Sequence, residues 1–193
     1  MEEQKFHKLN EGIATRYITL EGMGHKNCKD LQEFLRKLKS QSKDIFFVID
    51  RGKEPGDLAI GSWVTTFFSK KFIDVISKNN VRINAYLIRT KKEVKMNYFY
   101  VEPINYPVYH FKKERSKWYL KKNPLAKNNL YQCLGSTTTD EENLFDFSDY
   151  DGSDFFGVKE TRFIFVTQKL KEAIEKAKLK NVVFDPVVRY KIK

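Results

Sequence analysis

An α+β fold is expected from this sequence, with two related strand-helix-strand units around residues 65–88 and 162–188 and an aromatic extended segment between them. Three observations predict it. Residues 67–86 (FFSKKFIDVISKNNVRINAY) reappear without a gap as 165–184 (FVTQKLKEAIEKAKLKNVVF), with Phe67 matching Phe165, Lys71 matching Lys169, Ile76 matching Ile174 and Lys78 matching Lys176. Inside each copy the apolar period changes from three and four residues to a dense β-branched and aromatic run, the mark of a helix followed by a strand. The matched residues are apolar or solvating types, without a nucleophile or a metal ligand among them, so what repeats is a packing pattern.

The first expected strand is Ile13–Leu20, followed by a turn over Glu21–Gly24. A helix follows, with Asn27 as cap and Leu31, Phe34, Leu35 and Leu38 as its apolar face. The run Asp44–Asp50 reads as a buried strand. It leads into the polar loop Arg51–Asp57, whose Lys53-Glu54-Pro55-Gly56 carries turn chemistry. In the first copy the run Thr65–Phe68 ends at Ser69, a helix cap, and the helix is placed near Lys70–Lys78 before a strand over Ile83–Ile88. The aromatic stretch Asn97–Tyr109 is extended, and its prolines fit an edge strand. A basic stretch, Phe111–Lys122, precedes a flexible acidic loop around 135–154. The second copy runs from Arg162–Val166 through the cap Thr167 and a helix near Gln168–Ala177 to a strand over Val182–Phe184. The whole, residues 1–193, reads as a globular domain divisible into lobes 1–96 and 97–193.

The chain is 41% hydrophobic, enough for a real core, and 32% charged. No apolar run approaches a membrane helix, and the start, MEEQKFHKLNEG, lacks the pattern of a signal peptide. A cytoplasmic protein is expected. Cys28 and Cys133 have no Cys or His neighbour at metal-ligand spacing and read as reduced thiols, so neither metal nor cofactor is expected.

The net charge is +11, yet from Asn128 to Val158 the chain has no lysine or arginine while Asp140, Glu141, Glu142, Asp146, Asp149, Asp151 and Asp154 crowd that window. A basic body with one acidic segment suits docking to a charged partner. Asp146, Asp149, Asp151 and Asp154 are therefore candidate partner contacts, with Tyr98, Tyr100 and Tyr106 on the aromatic segment and Trp118 beside it. Two rival readings stay open. The mixture of cations and aromatics over Lys112–Lys122 has the composition of a nucleic-acid-binding surface. Asp50 and Glu54, following an apolar strand, stand where α/β enzymes place catalytic loops. Gly52, Gly56 and Gly61 have neither dinucleotide nor P-loop spacing, and Asp149–Asp154 lacks the terminal glutamate of a calcium loop.

Taken together, IFFVID, FFSKKFIDVI, NYFYVEPINYPVYHF, KERSKW and the closing RFIFVTQKLKEAIEKAKLKNVVFDPV resemble a family of bacterial immunity proteins, the antidotes encoded beside polymorphic or contact-dependent toxins. The resemblance spans roughly Asp44–Val188. It implies a non-enzymatic protein whose partner is a cognate toxin, and it transfers no toxin-binding residue onto this sequence. One departure stands out: antidotes to nuclease toxins are often acidic, whereas this chain is basic overall.

Overall fold

The computed structural model describes residues 3–12, 15–24, 28–61, 65–91, 93–104, 120–122, 131–133, 151–157 and 164–191. They form an α+β fold that divides into two compact units. One comprises Asn10–Glu102 with Glu172–Val183; the other comprises Met1–Leu9, Pro103–Lys171 and Phe184–Lys193.

The first unit is built on β2 (Thr19–Met23), α1 (Leu31–Lys39), β3 (Phe46–Arg51), β4 (Leu58–Gly61), β5 (Thr65–Ser69), α2 (Lys70–Lys78), β6 (Ile83–Leu87) and β7 (Tyr98–Pro103). Its six strands run in the order β3-β2-β4-β5-β7-β6. Strand β5 shows how the sequence sets the two sides of this sheet. Phe67 enters a core with Phe47 at 4.7 Å, Leu20, Ala59, Phe34 and Tyr98. Its neighbour Phe68 points to the other face and meets Phe72 of α2 at 4.8 Å. Period-two alternation thus feeds two apolar layers from one strand. Gly61 is required at the end of β4, because a Cβ there would sit 2.1 Å from the Phe67 ring. The sheet also meets itself: just beyond β6, Arg89 O accepts the Phe47 N–H at 2.8 Å and the Lys91 N–H donates to Phe47 O at 3.0 Å, so one parallel bridge joins the two ends of the strand order.

The second unit holds most of a four-stranded sheet ordered β10-β11-β1-β12, from β1 (Glu3–Glu11), β10 (Phe155–Gly157), β11 (Ile164–Thr167) and β12 (Val182–Lys191). Helix α3 (Gln168–Lys176) starts directly after β11, and its residues from Glu172 on fall in the first unit, as do Asn10 and Glu11 of β1 and Val182 and Val183 of β12. Phe156 lies 5.4 Å from Phe6 and 5.8 Å from Phe165, a small aromatic core. The short strands β8 (Leu120–Lys122) and β9 (Tyr131–Cys133) pair with each other.

Four expectations need correction. The strand expected over Ile13–Leu20 starts only at Thr19, with Thr15 and Arg16 in a turn and Tyr17 in an isolated bridge to Glu54. The stretch Glu21–Met23 is strand, not turn: pairing with β3 overrides the turn tendency of Gly22, and only Gly24, at φ +80°, leaves the ladder. Asp30, not Asn27, caps α1, because its extended backbone lets its carboxylate accept the Glu33 N–H at 2.8 Å. Strand β7 lies between β5 and β6, not at an edge; Pro103 is its last residue, so the missing N–H does not break the ladder.

Candidate partner-binding residues and the twin polar junctions

The residues singled out for partner contact fall in different places. Asp146, Asp149, Tyr106 and Trp118 lie outside the described residues, as do most of Lys112–Lys122. Asp151 is exposed and accepts the Ser153 N–H at 3.0 Å in a local turn that Gly152, at φ +87°, completes. Tyr98 is fully buried, and its hydroxyl donates to Gly56 O at 2.8 Å. It has no surface to offer. Burial, then the nearby Asp57 charge, pushes its phenol well above the ordinary tyrosine range. Tyr100 is half-buried, stacked on Tyr86 at 6.4 Å, with its hydroxyl 3.4 Å from Glu102 Oε1. Lys39 pairs with Glu102 and sits 5.9 Å over the Tyr86 ring, so this aromatic pair is framed by opposite charges.

Asp154 belongs to a junction. Thr167 Oγ1 donates to Asp154 Oδ1 at 2.6 Å, the Thr167 N–H donates to Asp154 O at 3.1 Å, and the Leu170 N–H donates to Thr167 Oγ1 at 3.3 Å. Its other oxygen takes Lys169 Nζ at 2.8 Å. A hairpin strand, a hydroxyl cap and a helix start are thereby tied to one carboxylate. The same arrangement stands in the other unit around Asp57. There Ser69 Oγ donates to Asp57 Oδ1 at 2.6 Å, the Ser69 N–H donates to Asp57 O at 2.9 Å, and the Phe72 N–H donates to Ser69 Oγ at 3.1 Å. Here the second oxygen accepts the backbone N–H of Lys180 at 2.7 Å, while Asn181 Nδ2 donates to Leu58 O at 2.9 Å. The caps Ser69 and Thr167 were legible from the sequence; the carboxylates behind them were not.

The loop that the enzyme reading singled out is held differently. The Lys53 and Glu54 N–H groups both donate to Arg16 O, and Ile18 N–H donates back to Glu54 O at 2.9 Å. Gly52, at φ +79°, lets the chain pass where a Cβ would lie 2.1 Å from Tyr17 O. Asp50 is exposed, accepting from Thr19 Oγ1 and Arg51 Nε, each at 3.0 Å. Glu54 is exposed beside Arg16 at 3.9 Å. Among the described residues no three His, Cys, Asp or Glu side chains gather at metal-binding distance, and no helix is long and apolar enough to cross a membrane.

Sequence reasoning missed the exposed apolar residues Met23, Leu87, Ile104 and Val183. The signal for Leu87 was its place in Ile83–Leu87, where Tyr86 is turned toward the core and its neighbours toward water. The chain matches no protein-family model, and no curated protein is detectably similar to it.

Proposed function

We propose that this protein is a non-enzymatic immunity protein that binds and neutralises a cognate bacterial toxin in the cytoplasm. The observation that carries the reading is the use made of its buried and half-buried polar side chains. Asp57 and Ser69 in one unit, and Thr167 with Asp154 in the other, hold a strand hairpin to a helix start. His7 Nε2 is bound to Gln168 Oε1 at 2.6 Å. Groups with catalytic chemistry are engaged in holding a scaffold, which is what a binding protein needs.

The proposal includes a duplicated architecture. Supporting it, residues matched in sequence are matched in burial: Phe67 with Phe165, Phe72 with Leu170 and Ile76 with Ile174 are all buried, while Lys71 with Lys169 and Lys78 with Lys176 are exposed. The strand orders β4-β5-β7-β6 and β10-β11-β1-β12 follow one plan, with the strand before the helix in second place and the strand after the helix in fourth. Residues β7 Tyr98 and β1 Phe6 stand in the same register, opposite the caps Ser69 and Thr167. The third strand follows β6 in one unit and comes from the start of the chain in the other.

Co-expression with the toxin encoded immediately upstream of the gene tests the function. A complex that survives purification, together with restored growth of toxin-producing cells, is the expected result. Absence of both a complex and protection would sink the reading.

A further inference from the structure

We infer that the outer edge of β6 is a docking edge that accepts an extended, acidic strand from another protein. The inference goes beyond the toxin-binding reading and holds for any partner of that chemistry. It starts from where backbone groups point. Strand β6 ends the strand order, with β7 as its hydrogen-bonded neighbour. The Ile88 N–H donates to Tyr98 O of β7 at 2.9 Å. Since alternate residues of a strand direct their N–H and C=O to opposite sides, Ile83, Ala85, Leu87 and Arg89 direct theirs away from β7. Two contacts bear this out: Leu87 O accepts the Gln41 side-chain amide, and Arg89 O accepts the Phe47 N–H of β3.

Among the described residues the edge is therefore occupied by a strand beyond Leu87, met by Gln41 at Leu87 O, and open before it at Ile83 and Ala85. An incoming strand along residues 83–85 would pair on the same side of the chain that residues 89–91 already offer to Phe47 of β3. Ala85 and Leu87 share one face of the strand and are exposed, Leu87 at 43%, so alternate partner side chains meet apolar surface there. Strand addition to such an edge draws affinity from the main chain and selectivity from flanking side chains.

Those flanking side chains set the sign. Between Asp74 and Glu93 the chain has no acidic residue, and Lys78, Arg82, Arg89 and Lys91 are all exposed. Among the described residues none of these four forms a salt bridge. A partner strand bearing carboxylates is attracted to this edge, and one bearing lysines is repelled.

The test titrates isotope-labelled protein with an acetylated peptide alternating glutamate with valine, and with its lysine-for-glutamate counterpart. The acidic peptide is expected to slow solvent exchange of the Ile83, Ala85 and Leu87 amides and to bind about tenfold or more tightly than the basic one at low salt. Ala85→Pro removes an outward N–H without touching the β7 ladder and abolishes the protection, with circular dichroism reporting an intact fold. The double variant Arg82→Glu, Arg89→Glu keeps the backbone edge and reverses the preference between the peptides. Unprotected β6 amides, equal binding of the two peptides, or binding unchanged by Ala85→Pro would each overturn the inference. None of these outcomes bears on whether a toxin complex forms.

Discussion

The junctions around Asp57 and Asp154 use the same parts in different surroundings. Each carboxylate accepts from a hydroxyl at 2.6 Å, and each hydroxyl receives the N–H of a helix's first turn. Asp57, however, is 4% exposed and gives its second oxygen to a backbone N–H from the turn after α3. Asp154 keeps 21% of its side chain in contact with solvent and gives its second oxygen to Lys169, whose side chain is 71% exposed. The difference teaches that a repeated local device acquires its weight from burial. A donor left behind in a dry site cannot turn to water, whereas one at the surface can.

The largest effect is expected from Asp57→Ala. It deletes two hydrogen bonds to a charged acceptor and strands the buried Ser69 hydroxyl and the part-buried Lys180 N–H, so about 3 kcal/mol or more should be lost in chemical denaturation, against about 1 to 2 kcal/mol for Asp154→Ala. Equal losses would break the comparison. Ile76→Ala and Ile174→Ala remove matched side chains, 0% and 1% exposed, and each should cost about 2 to 5 kcal/mol. A near-zero effect at either position would show that its helix is not seated as described. Ser69→Ala and Thr167→Ala remove the caps themselves, at about 1 kcal/mol each, with Ser69 the larger because its carboxylate partner is then left dry.

Two smaller effects depend on solution conditions. Tyr98 has a raised folded-state value, so the stability it contributes is fully present below the ordinary tyrosine range near 10 and is lost as pH rises beyond it. Tyr98→Phe should flatten that alkaline decline in a pH series of denaturation midpoints. The reverse sign applies to Glu33, whose carboxyl is held low first by the Lys29 N–H and then by Lys37. Its contribution to the start of α1 is present above the ordinary glutamate value and fades as pH falls through its lowered one. Acid-induced amide exchange at Glu33 and Phe34, compared with that at Phe72, reads it out.

The gapless sequence match between 67–86 and 165–184 was visible because caps, helix face and following strand are local in sequence. The carboxylates were hidden by one residue. Asp57 precedes Ser69 by 12 positions and Asp154 precedes Thr167 by 13, so any match without gaps stops inside the hairpin. Read by composition alone, Asp154 belonged to an acidic run. Strand β1 was missed for another reason: over residues 6–11 the buried ones are Phe6, His7 and Leu9, a pattern without period two, and its strand character is imposed by β11. Strands β4 and β10, with four and three residues, are too short to carry a period at all. Exposure at Leu87 follows from the order of strands, which local sequence does not encode.

The single bridge between Phe47 and Thr90 has a consequence for solubility. Residues Ile45–Ile49 form an uncharged, β-branched and aromatic run, the composition of an aggregation-prone segment. With Arg89 and Lys91 bonded to Phe47, the outer edge of that run is occupied at its centre, and the residues that occupy it bring positive charge to either side. The clasp thus works as a gatekeeper, shielding this apolar run from other copies during folding and at high concentration.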